Sequence, residues 1–464
     1  MNCIKKYLSA ALLFFLVTAV CFTCTQCSKN YSIFYQEEKI KTTTPPYKTE
    51  SGEIMLPLRA TMAIFDGEVM QKENQIRITQ NTREIILHLE SDTAYANRRE
   101  IHLTAPVTQL EDEIFFPASA LTAFIGAAAV INEDEKNIQL IPPAFRDMMN
   151  DTIVSDTNRK EGEIKTYNGI SIIDGMGMEF LHFSNDQAVK YADIVNTYCD
   201  KLPDVNVYSM IVPTAAEFYG PKNRYPDYTS GIRTAYQSLE PGVTPVNVIK
   251  ELDAHADEKL YFNTDHHWTQ RGAYYAYKAF ADLKKLPLDP IDSFPNDHFD
   301  GYLGSFINYT RGTEGETILR NHADLLERFL PKVEVSGKAY YDMNMEKYIM
   351  DIPVVDTKST TYACFIDGDF PITVFKTSVE NGKKLVLIKE SYGNAFATWA
   401  VNNYSEVYVV DSRQFNDSLH TNASEPFDMI EFYNKIRFDD LLILSYPVSV
   451  AESSMRQALL SFVK

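Results

Sequence analysis

Four short apolar runs govern what most of this chain can fold into: VNVYSMIVPT (205–214), KKLVLIKES (383–391), SEVYVVDSR (405–413) and DDLLILSYP (439–447). Near-continuous apolar character over so few residues suits strands covered on both faces, the environment of parallel strands. Between them, YGNAFATWAVNNY and FDMIEFYNKIRF carry helical periodicity. Strands alternating with helices imply parallel pairing through right-handed crossovers, so this region is expected to be an α/β doubly wound parallel sheet.

At 464 residues the chain exceeds one compact core, and its first third reads differently. IMLPLRATMAIFDGEVMQKENQIRI (54–78) matches IFFPASALTAFIGAAAVINEDEKNIQLI (114–141). In each copy an apolar strand ending in proline leads into a short apolar helix, a turn and a hairpin. Pro57 corresponds to Pro117 and Ile76 to Ile138, which predicts a separate β-rich repeat domain over 51–143 with pseudo-twofold similarity. Polar segments at 29–50 and 144–166 are expected to be linkers, leaving 167–464 for the α/β domain.

The first residues, MNCIKKYLSAALLFFLVTAVCF, place a short basic head before an apolar stretch from Tyr7 to Phe22. That suits an export signal or a membrane anchor over 1–28, with Cys24 or Cys27 open to lipidation. The expected location is therefore extracytoplasmic, at the cell surface or tethered through the N-terminus. Only Cys199 and Cys364 lie in the body, too few for a disulfide framework or a metal site. The net charge of −19 opposes binding to nucleic acid or an anionic membrane surface.

The chemistry concentrates in two places. In YFNTDHHWTQ (261–270), Thr269 is a good N-cap, so Asp265, His266, His267 and Trp268 sit on the loop entering a helix. Ser391 follows a strand and precedes another helix, near its positive end. A serine needs a base to take its proton, and the base needs an orienting carboxylate. Asp265 and His267 are two apart, so an extended loop aims both side chains the same way. A zinc reading of Asp265, His266 and His267 is disfavoured, because adjacent histidines rarely face one ion and no distant further ligand is evident. No cofactor is expected. His266 reads as a neighbour rather than the base, Trp268 as a packing residue with sugar stacking the alternative, and Tyr274, Tyr275 and Tyr277 as helix packing.

TDHHWT, KESYGNAF and VYVVDSRQF together resemble the DHHW family, which is similar to the SGNH-hydrolase-like O-acetyltransferase domains of alginate acetylation proteins. The resemblance implies that Asp265 orients, His267 is the base and Ser391 the nucleophile, in an SGNH-like fold. Tyr302 in DGYLGSF and Arg413 in DSRQF match weaker family segments and are expected to line the site with Trp268, Tyr392 and His266. Glu390 stands where the SGNH pattern has aspartate, and no Gly-x-Asn-Asp segment supplies an oxyanion asparagine. Backbone N–H groups of Ser391 and Tyr392 are the expected substitutes. The first third resembles the copper amine oxidase N-terminal-like domain, although His88 and His102 make no copper-ligand cluster. The expected function is O-acetyl transfer to, or removal from, an extracellular polysaccharide through an acyl-serine. A membrane protein would supply acetyl groups. The alternative is a non-catalytic surface protein that binds carbohydrate or acts as a scaffold.

Overall fold

In the computed structural model, residues 31–80, 83–96, 99–142, 154–155, 157–221, 229–415 and 422–464 are described. The expected leader lies outside them. They separate into two compact units divided between Pro142 and Pro143. The chain is a mixed α/β protein with a separate β-rich N-terminal domain.

In the first unit, strand Ile54–Pro57 is followed by helix Leu58–Ile64 and the hairpin Glu68–Lys72 with Gln75–Gln80. The second copy repeats the order: Glu113–Pro117, helix Ala120–Ile125, then Ala128–Asn132 with Asn137–Ile141. The proline-ending strands pair antiparallel with Leu56 opposite Phe116, Pro57 opposite Phe115 and Pro117 opposite Met55, a local pseudo-dyad. Lys72 faces Gln75 at the first hairpin end, whereas Asn132 faces Asn137 at the second. The second turn is longer by two residues, which moves the spacing from 60 at the prolines to 62 at Ile76 and Ile138. Both isoleucines are fully buried.

From Tyr31 on, the expected linker at 29–50 is part of this unit. Ser32–Tyr35 pairs parallel with Asn137–Ile141, and Ile33 is buried in the core. A four-residue strand, paired on its other side with Glu38–Lys39 and surrounded by polar residues, is too short for its alternation to register in sequence. The segment expected to link the units likewise ends early, since strand Lys165–Tyr167 already belongs to a three-stranded sheet.

The second unit is built on an eight-stranded sheet. From one edge it runs Val243–Pro245, Asn206–Ile211, Asp440–Ser445, Lys384–Lys389, Glu406–Asp411, Ile372–Thr377, Val335–Tyr340 and Tyr348–Ile352. The first five strands are parallel, and the last three join antiparallel. The sheet is therefore mixed rather than the wholly parallel one expected. The outer two added strands lack continuous apolar runs, because Val335–Tyr340 alternates buried with exposed residues and is interrupted by Gly337 and Lys338, and Tyr348–Ile352 is mostly exposed.

Alternation in the central strands splits the core in two. Leu385, Leu387, Val407, Val409, Leu442 and Leu444 face the layer containing helices Gln270–Lys284 and Tyr392–Ala400. Val386, Ile388, Val410, Leu441 and Ile443 face the layer containing Asn185–Lys201 and Met429–Ile436. The two-faced burial explains the continuous apolar runs. It also fixes the start of the Tyr392 helix at the C-terminal end of strand Lys384–Lys389, where reactive groups collect in open α/β sheets.

Candidate active site

The loop from Tyr261 to Trp268 is closed at its base by an antiparallel bridge between those two residues. Thr269 accepts a hydrogen bond from Gly272 N–H (3.1 Å) and starts helix Gln270–Lys284. Asp324 pins the loop from the other side, accepting from Asn263 N–H (2.8 Å), Thr264 N–H (2.8 Å) and the Thr264 hydroxyl (2.7 Å). These satisfied backbone donors hold a buried loop in one shape.

Two further bonds fix that loop to the turn at Ser391. Trp268 Nε1 donates to the carbonyl of Tyr392 (3.0 Å), and the Tyr392 hydroxyl donates back to the carbonyl of His266. Trp268 and Tyr392 are both wholly buried, so they brace the site from beneath instead of meeting a substrate, and a sugar cannot stack on Trp268.

Within this frame three side chains meet. His267 Nδ1 lies 2.7 Å from Asp265 Oδ1, and His267 Nε2 lies 2.7 Å from Ser391 Oγ, across 124 residues of sequence. Ser391 makes no side-chain cap to its own helix, which leaves the hydroxyl to the imidazole. Asp265 Oδ1 also accepts from His267 N–H (3.0 Å), while Oδ2 accepts from the Tyr302 hydroxyl (2.7 Å) and Ser305 N–H (2.8 Å). Burial raises the Asp265 carboxyl pKa. The charge and hydrogen bond of His267, helped by His266 and Tyr302, outweigh burial and hold it well below the usual carboxylate range.

Gly304 makes this approach possible: a Cβ there would stand 2.2 Å from Asp265 Oδ2. Tyr362 stacks face to face on the His267 ring, centroids 3.8 Å apart and planes within 5°. The carboxylate and the stacked ring together restrict the imidazole to the orientation that faces Ser391.

His266 is engaged by Ser305 instead of Ser391, its Nδ1 2.7 Å from Ser305 Oγ. Burial, followed by the neighbouring His267, pushes its pKa down to about 3, so it is a neutral ring at ordinary pH. Asp265, His266 and His267 form the one group of potential metal-ligand atoms, within 4.8 Å of one another, found among the described residues. Their polar atoms point at hydrogen-bond partners within the site: His267 Nδ1 at Asp265, and His266 Nδ1 at Ser305.

Arg413 is held by two carboxylates. Its guanidinium pairs with Asp411 (Nε 2.9 Å, Nη2 2.6 Å) and Asp369 (2.8 Å). Lys389 bridges the same two carboxylates at 2.9 and 2.7 Å, and Asn394 donates to Asp369 (3.0 Å). Asp369 is thus kept ionised, its pKa depressed by Lys389 and Arg413 against the effect of burial, and it can only accept.

The Tyr392 N–H is not the free oxyanion donor expected. It donates to Glu390 Oε2 (3.1 Å), because the buried Glu390 side chain folds back over the turn.

Tyr362, Ser305, Asp324 and Gly304 went unassigned in the sequence, since each acts through a contact about 40 or more residues distant in the chain from the loop it serves; Gly304 and Ser305 lie in the DGYLGSF segment that also holds Tyr302. Glu179 is a further addition. It follows strand Met176–Met178, whose Gly177 N–H donates to the carbonyl of Asn263 in the 261–268 loop (2.8 Å). Burial, then the charge of Asp265, raises its carboxyl pKa.

The family described as DHHW protein matches residues 127–410, more than half of the chain, and the family described as copper amine oxidase N-terminal domain matches 34–140. A DHHW family protein from Eubacterium siraeum is similar in structure, with 26% identity and a TM-score of 0.55, over 65% of this chain and 97% of that one. Bacillus cereus PatB1 with a sulfonyl adduct aligns at 15% identity and TM-score 0.49, covering 63% and 97% of the two chains. The O-acetyltransferase domain of Pseudomonas putida AlgJ aligns at 13% and 0.36, covering 63% and 98%. No curated protein matches.

Proposed function

The chain belongs to the DHHW family, and on that premise we propose that its second unit is a serine-dependent acyl-ester enzyme acting on O-acetyl groups of an extracellular polysaccharide. The observation that carries this reading is the continuous contact from Asp265 through His267 to Ser391, at 2.7 Å for each link. A buried carboxylate that holds Nδ1–H leaves Nε2 with a lone pair aimed at the serine hydroxyl.

In the first step, His267 Nε2 takes the Ser391 proton as Oγ attacks the acetyl carbonyl carbon. The tetrahedral intermediate then collapses, the ester C–O bond breaks, and the leaving alcohol takes the proton from His267. The acetyl group remains on Ser391. In the second step, His267 removes a proton from an acceptor hydroxyl, which attacks the acyl-serine and regenerates the free hydroxyl. A sugar acceptor gives transfer, and water gives removal.

We assign the apolar leader to export and propose a membrane protein as the acetyl donor. Among the described residues no helix is long and apolar enough to cross a membrane. The reading is tested by treating the purified chain with a sulfonyl fluoride and with a chromogenic acetyl ester, and following intact mass. One adduct on Ser391, together with ester turnover, is expected. Labelling and turnover unchanged in Ser391→Ala would overturn it in favour of a non-catalytic carbohydrate-binding protein.

A further inference from the structure

Beneath the nucleophile turn lies a cavity with about 10 Å³ of room for a water centre, which is the space of a single molecule. Its lining includes Glu390, Ser412, Ser445 and Ser449 among apolar Ile388, Leu444, Met455 and Leu459. Two of the polar groups are buried and unpartnered within the protein: Glu390 Oε1 and Ser449 Oγ. Both residues are about 3% exposed. A buried carboxylate oxygen and a buried hydroxyl without partners are costly, and buried waters occur where such groups converge.

We propose that this cavity binds one water between Glu390 and Ser449, and that Glu390, solvated by it, is a pH-sensitive positioning residue for the Ser391 turn. The second half rests on the triad reading above, and the first does not. Glu390 Oε2 accepts from Tyr392 N–H at 3.1 Å and lies 3.5 Å from Ser391 Oγ. Burial, relieved in part by Arg413, the Tyr392 N–H and Lys389, pushes its carboxyl up to about 7.

The groups facing Glu390 are Lys389 on its own strand, Asp411 and Arg413 from the next, and the hydroxyls of Tyr362, Tyr392 and Tyr446. Lys389 and Arg413 are already shared by Asp369 and Asp411. They therefore do not hold Glu390 ionised.

An ionised carboxylate 3.5 Å from Ser391 Oγ would repel the negative charge that builds on the acetyl carbonyl oxygen beside it as Oγ attacks. The neutral form of Glu390 keeps the bond to Tyr392 without the repulsion, so it is the form that suits acyl transfer.

The test uses the full chain with Glu390→Gln and Ser449→Ala. In the parent, kcat/KM for an acetyl ester should fall about tenfold or more as pH rises through a midpoint near 7. Glu390→Gln should lack that limb, and Ser449→Ala should move its midpoint up by about half a unit to one unit, having lost one ligand of the water. Two readouts stand without activity: a high-resolution crystal structure should show a water in the cavity, and Tm of the parent relative to Glu390→Gln should fall between pH 4.5 and 7. A dry cavity overturns the water site. Identical pH dependence of Tm in parent and Glu390→Gln overturns the titration, and an unchanged alkaline limb in Glu390→Gln overturns the positioning role. A wholly inactive parent with the expected water and Tm trend would count against the acyl-transfer reading alone.

Discussion

Asp265→Asn replaces a carboxylate that accepts four hydrogen bonds with a group that has one acceptor oxygen. In the parent, Oδ1 serves His267 Nδ1 and N–H, and Oδ2 serves the Tyr302 hydroxyl and Ser305 N–H. If the new NH₂ occupies the Oδ2 position, it opposes Ser305 N–H, donor against donor. If it occupies the Oδ1 position, it opposes His267 N–H and drives the imidazole to the tautomer with its proton on Nε2. That proton faces Ser391, so the base cannot accept another. Either orientation strands a buried backbone N–H, at about 1–3 kcal/mol of stability. Both also remove the charge that stabilises the imidazolium, so turnover should fall by about 10³- to 10⁴-fold.

Tyr302→Phe is the matched control. It deletes one of the four bonds and leaves the carboxylate, so a loss of about tenfold, or 1.4 kcal/mol, is expected. Chromogenic acetyl-ester turnover and denaturant midpoints would be measured for both variants beside the parent. Asp265→Asn within tenfold of the parent, in a folded protein, would refute the assignment of Asp265 as the group that sets the tautomer.

Ser391→Ala and His267→Ala should each lose about 10³-fold or more in ester turnover, the first with Tm kept and the second with Tm lowered, because it leaves the buried Asp265 carboxylate without its imidazole partner; His266→Ala should keep most of the turnover, since that ring faces Ser305 and not the serine. Gly304→Ala places a methyl 2.2 Å from Asp265 Oδ2, so both Tm and activity should fall, and their constancy would contradict the close approach. Lys389→Met leaves the buried Asp411 to Arg413, and the half-buried Asp369 to Arg413 and Asn394; a loss of about 3 kcal/mol is expected from urea titration.

What the sequence makes legible follows the range of the interaction. The central strands announce themselves because both faces are buried, and Leu385 to Ile388 leave no polar position to confuse the period. Asp265 and His267 share one loop, so their alignment is a local matter. Their meeting with Ser391 is legible only through the rule that strand ends collect reactive groups.

The antiparallel strands Val335–Tyr340 and Tyr348–Ile352 are half exposed, and their sequence resembles a loop. The stacking of Tyr362 on His267 depends on tertiary packing that no spacing encodes. The capture of the Tyr392 N–H by Glu390 depends on a side-chain rotamer, which leaves no trace in a strand-to-helix pattern.

Both tryptophans of the chain sit across one junction. The indole of Trp268, on the base side, donates into the nucleophile helix at Tyr392, and the indole of Trp399, on the nucleophile helix, donates into the base helix at Gln270 (3.0 Å). Intrinsic tryptophan emission of this protein therefore originates entirely where the base meets the nucleophile. Melting of the N-terminal unit leaves both indoles in place, whereas parting of the two helices that breaks both indole bonds wets the rings and shifts the emission to the red. The protein thus carries its own optical gauge of whether the triad is assembled, without a label and without a substrate.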